Sequence, residues 1–154
     1  DFERPPPERF PAADTFITPA EFRRHGIERR FQWSDIEAWG MWSDGRYAEI
    51  VVPRSADGAP YDIRLRGLAL GTSAHPRQEV EVLVNGEAST TWLLGVGTPQ
   101  ELALRVAHFP GGRAVIGFRI RYPVSPRALG LGADERLLGL GLLGLTVSRP
   151  AQTR

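Results

Sequence analysis

Aromatic and acidic side chains are concentrated in one short segment of the chain, residues 31–45, which reads FQWSDIEAWGMWSDG. Three of the four tryptophans, Trp33, Trp39 and Trp42, lie within ten residues of one another. An indole offers a flat apolar face on which the C–H face of a sugar can stack, and a carboxylate such as Asp44 can accept hydrogen bonds from sugar hydroxyls. The segment therefore predicts a carbohydrate contact. The alternative is that the tryptophans are core residues at one end of the fold and that the SDG sequence is a turn leading into a strand.

A second polar cluster lies near the C-terminus, within residues 125–145. Asp134 and Arg136 are two residues apart, so on an extended segment their side chains point to the same side. They can pair with each other, or Arg136 can reach Asp44. The amide of Asn85 adds a side chain that both donates and accepts hydrogen bonds. We therefore predict that Asp44, Asn85 and Arg136 bind the hydroxyls of a glycan that stacks on Trp39 and Trp42.

The spacing of reactive residues does not favour catalysis. The three histidines, His25, His75 and His108, are far apart in sequence and lack a metal-binding spacing. The chain has no G-x-S-x-G sequence for a serine nucleophile. Glu37 and Asp44 are the only pair of carboxylates in an aromatic setting, which keeps a small glycosidase as a minor alternative. We expect a domain with no catalytic residues, no metal and no cofactor.

The elements that would position these residues are strands. Apolar and polar residues alternate with a period of two over several stretches, which is typical of half-buried strands, and these stretches are 47–52, 61–66, 79–84, 88–94, 102–106 and 114–121. Residues 137–147 are apolar at nearly every position, which predicts a strand buried on both sides or bent by its glycines. Asn85-Gly86 predicts a tight hairpin turn. The pattern favours an all-β fold, an antiparallel β-sandwich of the jelly-roll type, with a closed barrel as the alternative.

Length and composition limit the alternatives further. A chain of 154 residues fits one domain, and we assign residues 1–13 to a Pro-rich linker or tail, 14–149 to a single β-sandwich domain and 150–154 to a C-terminal tail. The absence of cysteine excludes disulfides, thiolate metal sites and a cysteine nucleophile. The net charge of +1 gives no general attraction to nucleic acid. The apolar run at 137–147 is too short to span a membrane.

The two motifs together resemble a known family. Residues 33–45 match the sequence W-S-x-x-E-x-W-G-x-W-S-D-G, the V-N-G of residues 84–86 matches a middle strand, and residues 125–142 match a closing motif. This combination is similar to an uncharacterised C-terminal β-sandwich domain of bacterial membrane glycosyltransferases and of phosphoglycerol-transferase-like proteins of envelope polysaccharide synthesis. The resemblance implies an accessory, carbohydrate-binding-like role, and it implies no catalytic residues.

We thus predict a non-catalytic module that binds a polysaccharide or glycan beside a membrane glycosyltransferase domain or subunit. The resemblance implies a location at the periplasmic or extracytoplasmic face of a bacterial envelope. From the net charge and the short apolar run we expect no nucleic-acid partner and no membrane span in this chain. The alternative is a structural or protein-interaction domain without a glycan ligand. In that case the outward arginines of two predicted strands would mark a flat contact surface, formed by Arg64, Arg66, Arg119 and Arg121.

Overall fold

The computed structural model describes residues 14–72 and 74–149, so the predicted linker at 1–13 and the predicted tail at 150–154 lie outside the described residues. Strands dominate the described part, together with three short 3-10 turns at Pro19–Glu21, Arg23–His25 and Pro110–Gly112. The strands are β1 (Phe16–Ile17), β2 (Glu28–Trp33), β3 (Met41–Pro53), β4 (Tyr61–Ala69), β5 (Arg77–Val84), β6 (Glu87–Gly95), β7 (Gln100–Val106), β8 (Arg113–Ile120) and β9 (Leu138–Ser148).

The strands form two antiparallel sheets that share the long strand β3. In the first sheet the order is β7-β4-β9-β3, with β1 paired to β9. In the second sheet the order is β6-β5-β8-β3-β2. A parallel bridge between Ala69, at the end of β4, and Val96, just after β6, links the two sheets on the side away from β3, so the sandwich is nearly closed. The prediction of an all-β antiparallel fold is confirmed.

One apolar core fills the space between the sheets. The alternation predicted for β4 is confirmed, because Tyr61, Ile63 and Leu65 are buried while Arg64 and Arg66 are exposed. The core draws side chains from both sheets, among them Ile50, Val82, Trp92, Phe118, Leu140 and Val147. Burial of such side chains is the main contribution to the stability of a fold of this kind.

The predicted hairpin is present between β5 and β6. Asn85 has φ of 52° and Gly86 has φ of 83°, the two positive values that a two-residue turn of this type requires. The sequence did not predict β2. This strand pairs only with β3, and its residues Glu28–Gln32 are exposed, so it carries no alternating apolar signal.

The glycines of β9 explain its unusual sequence. The strand lies between β3 and β4 and is buried along most of its length, as predicted. A Cβ atom at Gly139 would lie 2.4 Å from the Ile120 side chain, and one at Gly141 would lie 2.9 Å from the indole of Trp42. The missing side chains therefore leave room for larger residues of the neighbouring strands. Among the described residues there is no helix of the length and apolarity that a membrane span requires.

Candidate functional site

The two motifs of the sequence meet at one end of the first sheet. The start of β3 pairs with the start of β9 through Met41 opposite Leu142, Trp42 opposite Gly141 and Asp44 opposite Leu138. Residues that are about 100 positions apart in the chain thus form one surface. The sequence left open whether the segments around Asp44 and Arg136 approach each other, and this strand register brings them together.

A tight turn places Trp39 at the tip of the loop that precedes β3. The backbone groups of Glu37 and Gly40 exchange two hydrogen bonds, of 2.8 and 3.2 Å, and leave Trp39 between them. Gly40 lies against β9, where a Cβ atom would be 2.3 Å from the carbonyl oxygen of Leu142. No side chain fits in that space, so the glycine of the motif is required for the loop to pack on the sheet.

Trp39 and Trp42 form an aromatic pair on this surface. Their ring centroids are 5.1 Å apart and the rings meet edge to face, an arrangement that aromatic side chains favour. Trp42 covers Gly141 and is half-buried, whereas Trp39 is 37% exposed. Trp39 is therefore available for contact with a ligand, and the half-buried Trp42 packs against its ring.

Two polar side chains of the motif stabilise an irregularity in the sheet. The register between β3 and β9 shifts between Trp42 and Asp44. At this shift the buried hydroxyl of Ser43 accepts a hydrogen bond from the backbone N–H of Leu140 at 2.8 Å. One carboxylate oxygen of Asp44, Oδ1, accepts a hydrogen bond from the backbone N–H of Leu137 at 2.9 Å. The bulge therefore depends on these two side chains, because each satisfies a backbone donor.

Arg136 lies near the carboxylates of Glu37 and Asp44, which flank the two tryptophans in sequence, and it is fixed mainly by Asp134. Its Nε and Nη2 atoms donate to the two carboxylate oxygens of Asp134 at 2.6–3.1 Å, and its Nη1 donates to the hydroxyl of Ser34 at 2.7 Å. These hydrogen bonds are the main reason that the pKa of Asp134 is lowered and the pKa of Arg136 is raised. The nearby charges of Glu37 and Asp44 also raise the pKa of Arg136. Of the two pairings left open by the sequence, the direct one is with Asp134.

The cluster leaves specific polar atoms for a ligand. A guanidinium has five N–H donors, and two of those on Nη1 and Nη2 of Arg136 are not used by Asp134 and Ser34. The second carboxylate oxygen of Asp44, Oδ2, has no hydrogen-bond partner among the described residues. The surface thus offers an exposed indole, an acceptor and two donors. Ser34 was part of the matched motif, but its contact across 102 residues with Arg136 could not be read from spacing.

Asn85 is placed apart from this cluster. Its side chain accepts a hydrogen bond from the backbone N–H of Val115 and donates to the carbonyl oxygen of His108. Val115 pairs with Val51, which is seven residues along β3 from Asp44, a separation of roughly 23 Å in an extended strand. The structure therefore gives Asn85 a role in the hairpin turn and does not bring it to the tryptophans.

The remaining two tryptophans have structural positions. Trp33 donates from Nε1 to the carbonyl oxygen of Glu49 at 2.8 Å and packs edge-on against Phe118. Trp92 is buried in the core. Among the tryptophans of residues 31–45, the core alternative thus applies to Trp33, which packs against the core, while Trp42 is half-buried and Trp39 is exposed.

The outward arginines do not form a single contact surface. Arg64 and Arg66 lie on the first sheet, where both are within 3.7 Å of Glu101. Arg119 and Arg121 lie on the second sheet, where they pair with acidic residues of β5. The expectation of one flat arginine surface was wrong, because a sandwich separates the outer faces of its two sheets.

The chemistry of the cluster is suited to binding. The hydroxyl of Ser43 is buried and occupied by a backbone donor, so it is not placed as a nucleophile. The lowered pKa of Asp134 keeps its carboxyl ionised at neutral pH, so it has no proton to donate there. Within residues 14–72 and 74–149, no group of three or more histidine, aspartate or glutamate side chains is placed to hold a metal ion.

Solved structures with the same fold include modules that are described as carbohydrate-binding. The CBM36-1 domain of a multidomain xylanase from the hindgut metagenome of Trinervitermes trinervoides aligns with a TM-score of 0.56 and 16% identity, over 90% of this chain and 99% of that domain. A carbohydrate-binding module CBM36 in complex with calcium and xylotriose aligns with a TM-score of 0.50 and 13% identity, over 80% of this chain and 95% of the module. At these identities the likeness concerns the fold, which is the predicted jelly roll.

The sequence itself matches one family. The model of a domain of unknown function, DUF7024, matches residues 11–149. No curated protein has significant sequence similarity to the chain.

Proposed function

The chain belongs to the DUF7024 family, and we propose that it is a non-catalytic carbohydrate-binding module whose glycan contact is formed by Trp39, Trp42, Asp44 and Arg136. The observation that carries this proposal is the aromatic pair of Trp39 and Trp42 beside polar groups with unused donors and acceptors. Sugars require both an apolar surface and hydrogen-bonding groups, and this cluster supplies both within one surface.

Each side chain has a distinct part in the proposed contact. The exposed indole of Trp39 stacks on the C–H face of a sugar ring, and Trp42 keeps that indole in place. The free Oδ2 of Asp44 accepts a hydrogen bond from a hydroxyl, and the unused N–H groups of Arg136 donate to hydroxyl oxygens. Because Asp134 and Ser34 fix the guanidinium before any ligand arrives, little side-chain entropy is lost on binding.

The fold and the motif resemblance support the wider setting. Modules with this fold include one solved with xylotriose, which supports a polysaccharide ligand here. The resemblance of residues 33–45 to the envelope domain supports a place beside a membrane glycosyltransferase domain or subunit of polysaccharide synthesis, outside the cytoplasm of a bacterium. In that setting the module holds the glycan chain while a separate domain carries out the chemistry.

The test is isothermal titration calorimetry of the chain with xylohexaose, cellohexaose and fragments of bacterial envelope polysaccharide. We expect at least one glycan to bind, and Trp39→Ala to weaken that binding about tenfold or more, since truncating a contacting tryptophan commonly has effects of this size. Trp39 is at a loop tip, so its truncation is expected to leave the thermal unfolding midpoint nearly unchanged.

The matched control is Phe16→Ala, which truncates an exposed aromatic side chain on another strand. It should leave glycan affinity unchanged. If no glycan in the panel binds, or if the Trp39→Ala chain binds as tightly as the wild type, the proposed contact is wrong. A structural or protein-interaction role would then be favoured.

A further inference from the structure

The outer face of the second sheet carries a groove that the tryptophan cluster does not use. Its volume is about 710 Å³, within the range of sites that hold small organic ligands. One row of side chains crosses four adjacent strands in this groove, with Tyr47, Arg119, Glu81 and Thr91 paired in register. The row spans about 14 Å at the usual spacing of strands, so it can contact a segment of a chain molecule.

An aromatic residue beside the groove has a strained backbone. Phe31 on the edge strand β2 has φ of 67°, a left-handed conformation that a bulky side chain rarely adopts. Its side chain is 70% exposed, so burial does not compensate for the strain. Strain of this kind is retained where the surrounding structure imposes it, and such positions are concentrated at binding sites.

Phe31 lies against Tyr47, which lines the groove. Their ring centroids are 5.8 Å apart. A Cβ atom at Gly117 would lie 3.1 Å from two ring atoms of Tyr47, so the ring rests on the backbone of β8 at a position without a side chain. The Tyr47 hydroxyl donates to a carboxylate oxygen of Glu49 at 2.5 Å. The two rings meet at an angle of 55° and form a preorganised aromatic platform with two inclined faces.

The charged groups of the groove are largely paired. Arg119 contacts Glu81 at 2.5 Å and Arg121 contacts Glu79 at 2.8 Å. Arg46 also lines the groove and has no acidic partner among the described residues. Each ion pair presents a donor and an acceptor side by side, which matches two neighbouring hydroxyls of a sugar. The pairing also removes most of the net charge that would attract a polyanion.

We propose that this groove is a second glycan-binding surface, in which Phe31 and Tyr47 form the stacking platform for an uncharged polysaccharide segment. The proposal extends the proposed carbohydrate-binding function to the opposite outer face of the sandwich, and the two surfaces share no contact residue. Their contributions can therefore be separated by mutation.

The test uses Phe31→Asn and Phe31→Gly, because asparagine and glycine tolerate the left-handed conformation. Both variants remove the ring while keeping the backbone, so the thermal unfolding midpoint should be unchanged or raised. In calorimetry with xylohexaose, cellohexaose and laminarihexaose, we expect at least one neutral oligosaccharide to lose affinity for the groove tenfold or more in each variant. A third variant, Arg119→Gln, keeps both rings of the platform and should weaken the same binding, because it removes the charge that pairs with Glu81. Phe16→Asn is the matched control and should have no effect.

The outcomes separate this proposal from the function proposed above. The groove is supported if Phe31→Asn abolishes one binding event that the Trp39→Ala chain still shows. Loss of all binding in Phe31→Asn with none in Trp39→Ala supports the groove and rejects the tryptophan contact. Unchanged binding of all three oligosaccharides in both Phe31 variants overturns the groove proposal, as does failure of every neutral oligosaccharide to bind. Binding of polygalacturonate alone, with a steep loss on added salt, overturns the assignment to an uncharged chain.

Discussion

Replacement of Ser43 by alanine is expected to destabilise the whole domain, although the residue lies within a surface motif. The Ser43 hydroxyl is buried and is the acceptor for the backbone N–H of Leu140 at the register shift between β3 and β9. Ser43→Ala leaves that buried donor without an acceptor, which costs about 1–3 kcal/mol. For a domain of this size, a loss of about 2 kcal/mol lowers the thermal unfolding midpoint by about 4–8 °C.

The assay is urea unfolding followed by circular dichroism, with a thermal melt as the second measurement. Ser89→Ala is the matched control, since Ser89 is exposed on β6 and its truncation should change the unfolding free energy by less than about 0.5 kcal/mol. If Ser43→Ala changes the unfolding free energy as little as the control does, the hydroxyl does not satisfy the backbone N–H of Leu140 at the bulge, and the structural interpretation of the motif is refuted.

Three further predictions concern the same two surfaces. Gly40→Ala should destabilise the fold by more than about 2 kcal/mol in urea unfolding, because φ is 150° and a Cβ atom would lie 2.3 Å from a carbonyl oxygen of β9. Its control is Gly130→Ala, which should lower the free energy of unfolding less, because the space around Gly130 is open. Asp44→Asn keeps an oxygen acceptor for the backbone N–H of Leu137, so it should preserve stability, whereas Asp44→Ala should lose about 1 kcal/mol. Both variants should weaken glycan binding in calorimetry. Burial, followed by the hydrogen bond and the charge of Glu49, raises the pKa of Tyr47 to about 12. Because the pKa in the unfolded chain is about 10, the folding stability linked to this proton is fully present below about pH 10 and is lost as the pH rises toward 12. Glu49→Gln should lower that pKa, measured by tyrosinate absorbance, and an unchanged pKa would contradict the contribution assigned to Glu49.

Much of the fold could be predicted from the sequence because burial leaves a periodic trace. Alternation identified β4 and the other half-buried strands, and Asn85-Gly86 identified the hairpin. The edge strand β2 left no such trace, since five of its six residues are exposed. The left-handed conformation of Phe31 was also invisible, because nothing in the sequence distinguishes it from an ordinary strand residue.

The candidate site could be predicted only in part. Asp44 and Arg136 do lie near each other, since both motifs lie at the paired starts of β3 and β9, while a glycan contact formed by these residues with Trp39 and Trp42 stays a prediction. Asn85 was grouped with them by chemistry alone, and only the strand register shows that it lies near the other end of β3. The groove on the second sheet was not predicted, because the residues that form it come from five strands and make no local motif.

The central claim is that the Trp39 and Trp42 pair contacts a glycan, and the indole N–H signals of the four tryptophans test it most directly. We would record proton–nitrogen correlation spectra of the labelled chain during titration with the oligosaccharide that binds most tightly in calorimetry, and assign the signals with single tryptophan variants. The account predicts that the Trp39 and Trp42 signals shift with the binding isotherm, while buried Trp92 does not move. Unshifted Trp39 and Trp42 signals at saturation would contradict it.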